Sequence, residues 1–328
     1  MSLPQLLRDN LALPVIGSPM FIVSNPELVI EQCKAGIVGA FPALNARAEP
    51  ALEQWLQRIT TELAQFKAAH PEKKVAPFAV NQIVHASNSR LQRDVDLCVQ
   101  YKVPIMITSL RAPDQVVEAA HSYGGLVFHD ITTIQHAKRA LKAGVDGLIL
   151  VCSGAGGHAG RLSPFALVPE VRAFYDGTII LSGAIASGDA ILAAQSIGAD
   201  LAYIGTRFIA TREANAVAGY KQALVDSTAE DIIYSSLFSG VHGNYLRSSI
   251  VAAGMDPDKL PDGDKSAMDF GAGADPETGG AKAWRDIWGA GQGTGQIRDV
   301  PATAELVERL GKEYQAARQR VLGSPGSA

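Results

Sequence analysis

Cysteine is scarce in this chain of 328 residues. Its three cysteines are Cys33, Cys98 and Cys152, which lie far apart in the sequence. Three scattered cysteines do not provide a disulfide framework, and none of their spacings matches a zinc site. This usage is typical of a reducing compartment, so we expect a cytoplasmic protein.

Strong charge and long apolar runs are lacking as well. The formal net charge is -4, and 19% of the residues are charged. Such a weak acidic balance predicts no binding to nucleic acid or to an anionic membrane surface. No apolar stretch reaches the roughly 18 residues of a membrane-spanning helix. Residues 1–14 contain Arg8 and Asp9 and lack the apolar run of a signal peptide.

The apolar residues fall instead into short runs separated by helix-like segments. Buried parallel strands have continuous apolar runs of this kind. We predict eight strands: Pro14–Ser18, Gly36–Ala40, Pro77–Asn81, Pro104–Ser109, Gly125–His129, Gly147–Val151, Thr178–Ser182 and Asp200–Gly205. Two of the predicted helices, Thr132–Ala143 and Ser187–Ile197, begin at capping residues and are followed by glycine.

This alternation predicts the α/β class and a (β/α)₈ TIM barrel. Such barrels contain about 250 residues, and a chain of this length allows insertions. A doubly wound open sheet is the alternative fold. Eight units, and the lack of G-x-G-x-x-G after the first strand, favour the barrel.

The pattern changes towards the carboxyl end of the chain. We predict a barrel over residues 1–212, a smaller substrate or cap domain over 213–285, and a return segment over 286–328 that packs on the barrel. Residues 240–280 are rich in Gly, Asp, Pro and Ser, which predicts a loop-rich insertion. A long charged helix is predicted over about 47–74, between the second and third strands, and two more helices, Ala214–Ser227 and Ala302–Val321, follow the last strand.

A glycine-rich segment, CSGAGGHAG at 152–160, follows the sixth predicted strand. Barrel active sites lie at the carboxyl ends of the strands. The one large polar side chain in the segment is His158, which could accept a proton or stabilise an anion near neutral pH. The alternative is a tight turn with a solvent-exposed histidine.

Two further segments follow the seventh and eighth predicted strands, where barrels commonly bind phosphate. They are LSGAIASGD, which contains Gly183, and YIGTRF, which contains Tyr203, Ile204, Gly205 and Thr206. Backbone N–H groups at a glycine-containing helix start attract phosphate. Either segment alone is commonly just a helix cap, but together they predict a phosphate-bearing cofactor.

Other candidate ligand contacts are less specific. Asn81 ends the third strand in PFAVN, and its amide could bind a ring nitrogen or oxygen, although an Asx-turn is the alternative. Met20 in PVIGSPM and Gln292 in WGAGQGTG could lie along a planar ring. His129 ends the fifth strand and could contact the cofactor or be structural. No metal-binding motif is present, and we predict no metal site.

These segments, taken in order from Pro14 to Gly295, resemble the nitronate monooxygenases, also called 2-nitropropane dioxygenases. The resemblance implies an FMN-binding TIM barrel with an added substrate domain that oxidises alkyl nitronates with O₂ to a carbonyl compound and nitrite. It implies flavin contacts at Asn81, Gly156, Gly183 and the Tyr203–Thr206 segment, with Met20 and Gln292 along the ring. It gives His158 the role of base or anion stabiliser.

The chain departs from that family pattern at two positions of the sixth-strand segment, and SGAIASG replaces the commoner Ser-Gly-Gly-Ile-x-Asp-Gly after the seventh strand. Val151 stands where many members have Gln, and Gly154 stands where they have Glu. One alternative is an FMN-dependent NAD(P)H reductase of quinones or enoyl thioesters, since relatives share this barrel. Another is a non-redox barrel that binds a phosphorylated metabolite. The expected partners are a small nitronate and O₂, and any assembly is expected to be a homodimer.

Overall fold

The computed structural model describes residues 3–264 and 284–323. All eight predicted strands are present, and three short ones are added. In chain order the strands are β1 (Val15–Gly17), β2 (Gly39–Pro42), β3 (Phe78–Val84), β4 (Ile105–Leu110), β5 (Leu126–Ile131), β6 (Gly147–Val151), β7 (Gly157–His158), β8 (Thr178–Ser182), β9 (Leu201–Ile204), β10 (Ile232–Ser235) and β11 (Gly243–Leu246).

Helices lie between the strands. They are α1 (Gln5–Asn10), α2 (Pro26–Lys34), α3 (Ala51–Ala69), α4 (Leu91–Gln100), α5 (Asp114–His121), α6 (Ile134–Lys142), α7 (Pro164–Arg172), α8 (Gly188–Ser196), α9 (Thr206–Ile209), α10 (Ala218–Asp226), α11 (Arg247–Ala252) and α12 (Thr303–Leu322). The predicted caps of two of them are confirmed, because Thr133 caps α6 and Ser187 caps α8 through side-chain oxygens. In the described ranges, no helix is both long and apolar enough to cross a membrane.

Eight parallel strands form the barrel, in the order β1-β9-β8-β6-β5-β4-β3-β2. Hydrogen bonds between β1 and the residue before β2 close the circle. The Gly17 amide donates to the Val38 carbonyl over 2.7 Å, and the Val38 amide donates to the Val15 carbonyl over 3.1 Å. The predicted (β/α)₈ fold is therefore confirmed.

Side chains on each barrel strand point alternately into the barrel and out towards the helices. The inward layer is apolar and buried, and it includes Ile16, Ala79, Ile107 and Phe128. Leu7 of α1 belongs to the same buried cluster. The outward residues pack against the helices in a larger cluster. Both faces of the strands are thus covered, which explains their continuous apolar runs.

A second, antiparallel sheet of three strands lies beside the barrel, in the order β10-β11-β7. It draws on residues from the region that we predicted to be loop-rich. That prediction is wrong for β11 and α11, because the Gly243–Leu246 backbone pairs with both β10 and β7. It holds for 256–264, which contain only turns and irregular backbone. The segment DFGAGADPETGG lies outside the described residues, and the division into three domains stays a prediction.

Two predicted helices are shorter than expected. The helix predicted from Ala214 begins at Ala218, because the Asn215 amide donates instead to the Val23 carbonyl in the loop after β1. Helix α3 ends at Ala69, since His70 precedes a proline and that position disfavours helical backbone.

Candidate active site

A cavity of about 1150 Å³ lies at the carboxyl ends of the barrel strands. Each barrel strand contributes one inward side chain to its floor, two positions after an inward residue of the apolar layer. These eight residues are Ser18, Pro42, Asn81, Ser109, Asp130, Val151, Ser182 and Tyr203. Inward-facing side chains thus change from apolar to largely polar over two residues of each strand.

Three of the floor residues form a hydrogen-bonded chain across neighbouring strands. The Asn81 amide nitrogen donates to Ser109 Oγ over 3.0 Å, and Ser109 Oγ donates to Asp130 Oδ2 over 2.6 Å. Burial raises the pKa of Asp130 to about 6, against the lowering effect of the Ser109 hydrogen bond. The floor therefore contains a carboxyl group that titrates close to neutral pH.

Glycines allow three loops to meet at one side of the cavity. Gly183 has a left-handed φ of 137°, and a Cβ there would lie 2.7 Å from the Ser153 carbonyl oxygen. At Gly156 a Cβ would lie 2.8 Å from the Gly291 amide nitrogen. That same amide donates to Thr206 Oγ1 over 2.9 Å. The loops after β6, β8 and β9 therefore expose backbone atoms of glycine residues to the cavity.

His158 stands on the cavity wall at the end of β7. Its backbone pairs with Gly243 of β11, and its Nε2 lies 2.8 Å from Ser239 Oγ. The Trp284 ring meets the imidazole edge-on, with ring centroids 5.2 Å apart. Burial lowers the pKa of His158 to about 4. The imidazole is therefore neutral near pH 7, and its ring orientation is fixed by a hydroxyl and an indole.

Comparison with known proteins decides the family. The sequence matches the family model described as nitronate monooxygenase over residues 9–313. The chain belongs to the nitronate monooxygenase family. A nitronate monooxygenase from Paraburkholderia phytofirmans is 26% identical over 94% of each chain.

Two other similarities are more distant. A (3aS,4S,5R,7aS)-5-hydroxy-7a-methyl-1-oxo-octahydro-1H-indene-4-carboxyl-CoA dehydrogenase from Rhodococcus jostii is 24% identical over 73% of this chain and 64% of its own length. The crystal structure of a nitroalkane oxidase from Streptomyces ansochromogenes superimposes with a TM-score of 0.79. It covers 96% of this chain and 99% of that one at 23% identity, which supports the fold. The family and the names of these relatives make the protein an oxidoreductase.

In this nitronate monooxygenase family member, most of the predicted site residues come together. His158 and seven of the predicted cofactor contacts line the cavity, namely Met20, Asn81, Gly156, Gly183, Tyr203, Gly205 and Thr206. Their roles stay predictions, but their common location is what a shared ligand requires.

Three predicted contacts do not line the cavity. His129 and Ile204 lie one position out of register with the inward residues of their strands, so both face the helix layer. His129 is buried, and its Nδ1 lies 2.8 Å from Thr108 Oγ1. The side chain of Gln292 is exposed beside Gly154, and its backbone amide donates to the Gly154 carbonyl over 2.9 Å. These positions do not favour direct contact with a cofactor.

Sequence reasoning missed Ser109, Asp130 and Ser239. The first two lie two positions after Ile107 of β4 and Phe128 of β5, but the sequence does not mark those residues as inward-facing. No local signal points to Ser239, which lies in the loop between β10 and β11. Four more residues of that loop line the cavity, namely Phe238, Gly240, Val241 and His242. Among the described residues, no group of three or more His, Cys, Asp or Glu side chains could hold a metal ion.

Proposed function

We propose that this family member oxidises alkyl nitronates with O₂ by means of FMN, giving a carbonyl compound and nitrite. The observation that carries the proposal is the position of His158. Its neutral imidazole lies on the wall of a cavity whose glycine-lined loops and polar floor suit a flavin. FMN supplies the electron acceptor and the reaction with O₂ when it is bound.

The residues present fit FMN. Ligand sites commonly have volumes of about 300–1,000 Å³, so this cavity has room for a flavin and a small substrate. Glycine-bared backbone around Gly183 and Gly205, with the start of α9, can accept a phosphate without steric conflict. The floor offers amide, hydroxyl and carboxyl groups to a heterocycle.

His158 is suited to act on the charge of the substrate. Because its imidazole is neutral, it can take a proton from the carbon next to a nitro group. An anionic nitronate beside the ring would favour the protonated imidazole and raise its pKa. Ser239 orients the ring, and Trp284 and Phe238 reduce the access of water on that side.

The experiment that tests this proposal is anaerobic reduction of the purified protein. We expect a yellow protein whose flavin absorbance bleaches when an alkyl nitronate is added, and which NADH and NADPH leave unchanged. Admitting O₂ should restore the absorbance and release nitrite. Bleaching by NAD(P)H without bleaching by nitronate would overturn the proposal, and so would a colourless protein that cannot be reconstituted with FMN.

A nicotinamide-dependent reduction of an acidic thioester is the second candidate. Two arginines, Arg47 and Arg90, line the cavity after β2 and β3, and the Arg90 guanidinium donates to Asp94. The Rhodococcus relative carries CoA in the name of its substrate. Bleaching by NAD(P)H in the same assay would favour this candidate.

A further inference from the structure

A strained turn lies in the loop after β1, at residues 20–24. Ile22 has a φ of 68°, a left-handed backbone that is uncommon for any L-residue and an outlier for a β-branched one. Four other non-glycine residues have a positive φ in the described ranges, and three of them, Leu110, Ala184 and Trp284, line the cavity. Strain of this kind persists only where neighbouring groups hold it, and it is common at ligand sites.

The side chain of Asn45 holds this turn through three hydrogen bonds. Its Oδ1 accepts from the Ile22 amide over 2.9 Å, and its Nδ2 donates to the Met20 carbonyl over 3.0 Å and to the Ser24 carbonyl over 2.8 Å. Asn215 adds a second support, because its Nδ2 donates to the Ile22 carbonyl over 2.9 Å. Both hydrogens of the Asn45 amide are thus used on one turn.

The strained turn forms part of the cavity wall. Met20 and Phe21 line the cavity, whereas Ile22 and Asn45 do not. Met20 lies beside Gly205, where a Cβ would be 3.6 Å from the methionine sulfur. Gly205 belongs to the glycine-bared backbone that we assign to the flavin phosphate. Asn45 therefore supports, from outside the cavity, side chains that a bound ligand would meet inside it.

We propose that Asn45 is a positioning residue for the flavin, because it keeps the turn at 20–24 in the strained form that places Met20 against the bound cofactor. Without its hydrogen bonds, the strain at Ile22 favours a relaxed turn. Only the fraction of molecules that keeps the strained form then binds flavin tightly. This inference rests on the proposed function, because that supplies the flavin.

The first test measures the dissociation constant of FMN. The full-length protein is freed of flavin, and binding is followed by quenching of flavin fluorescence. We expect Asn45→Ala to weaken binding by about tenfold, because release of the strain lowers the fraction of competent molecules. A similar loss is expected in Asn45→Asp, which keeps the shape of the side chain but lacks the two amide hydrogens.

The matched control is Asn25→Ala. Asn25 directly follows the turn, but its side-chain oxygen accepts from the Leu28 amide and caps α2. Its loss should lower stability and leave the affinity for FMN close to that of the parent. An affinity of Asn45→Ala that equals that of the parent, or that falls no further than that of Asn25→Ala, would overturn the inference.

The second test separates local strain from a general loss of stability. Glycine adopts a left-handed backbone at little cost, so Ile22→Gly should let the turn keep its form without Asn45. We expect Asn45→Ala combined with Ile22→Gly to recover most of the affinity that Asn45→Ala loses. A general loss of stability would not be repaired in this way, since glycine also makes the unfolded chain more flexible. A double variant that binds FMN no more tightly than Asn45→Ala would overturn the inference.

The outcomes separate the two proposals. A parent protein that binds no flavin overturns both. A parent whose flavin is bleached by nitronate, together with an Asn45→Ala variant of the same affinity for FMN, overturns only the inference about Asn45.

Discussion

His129 and Asp130 are adjacent in β5, and their side chains point in opposite directions. Phe128 faces the barrel interior, so Asp130 also faces inward, and His129 faces out to Thr108. His129, which we predicted from its residue type as a cofactor contact, lies between the barrel and the helices. Its neighbour Asp130 lies at the cavity floor. Register, rather than residue type, decides which of the two meets a ligand.

His158→Ala tests the group that we assign to the substrate. Loss of a general base typically lowers the rate by about 10²–10⁴-fold, and we expect this loss in kcat/KM with a neutral nitroalkane. A smaller loss is expected with pre-formed nitronate, because that substrate needs no deprotonation. Steady-state oxygen consumption measures both.

The matched control is His129→Gln, which can retain the hydrogen bond to Thr108 and should keep kcat/KM close to that of the parent. If His158→Ala oxidised both substrates as fast as the parent protein does, His158 would have no such role.

Glycine is needed in the loop after β8 for two separate reasons. Gly183 has a left-handed backbone, which any L-residue adopts at a cost. It also lies against the Ser153 carbonyl, so a side chain there has no room. The loops after β6 and β8 can therefore pack closely only with glycine at this position, and the proposed phosphate site depends on that packing.

Gly183→Ala can be compared with Gly124→Ala to separate these reasons. Gly124 also has a positive φ, of 84°, but a Cβ there would meet nothing within 4 Å. We expect Gly124→Ala to lose about 1–2 kcal/mol of unfolding free energy from backbone strain alone, with normal FMN content. Gly183→Ala should lose more and retain less FMN.

Urea unfolding and the flavin released per chain provide the two measurements. Equal stability losses with full FMN content in both variants would mean that close packing at Gly183 is unimportant.

Burial of ionisable groups around the barrel mouth makes the stability of the whole molecule depend on pH. Burial, and then the charge of His136, lower the pKa of His129 to about 4, and burial lowers that of His158 to about 4. Between about pH 4 and the ordinary pKa of 6.5, these two histidines are protonated in the unfolded chain and neutral in the folded chain. Stability therefore falls as the pH falls through that window.

Asp130 acts in the opposite direction. Its pKa is raised from 3.8 to about 6, so the folded chain holds a proton there that the unfolded chain has released, and acidification through that range stabilises the fold. The two histidines outweigh the one carboxyl by one proton. Between roughly pH 4 and 6, these groups therefore make the unfolding free energy rise by about 1.4 kcal/mol per pH unit.

We expect His129→Gln to remove about one proton from this balance, and so to flatten the pH dependence of unfolding by about 1.4 kcal/mol per pH unit. Urea unfolding of the flavin-free parent and variant at about pH 4.5 and about pH 6 measures the difference. The same slope in both proteins would show that His129 is not held neutral by burial.

The amino-acid sequence by itself determined the eight barrel strands, their order along the chain and the glycine-rich loops that follow the last three. Apolar runs, caps and glycine turns act over a few residues, so they can be recognised without knowing what packs against them. It could not show which residues of a strand face inward, because strands buried on both sides are apolar on both faces.

Tertiary structure alone decided the polar floor and the partner of His158. Ser239 lies 81 residues after His158, and the two meet because β11 adds to the strand that carries the histidine. Contacts between such distant residues depend on how the closed barrel and the small sheet are placed together. No local preference of the chain encodes that placement, so the residues that would hold a ligand become visible only in the folded molecule.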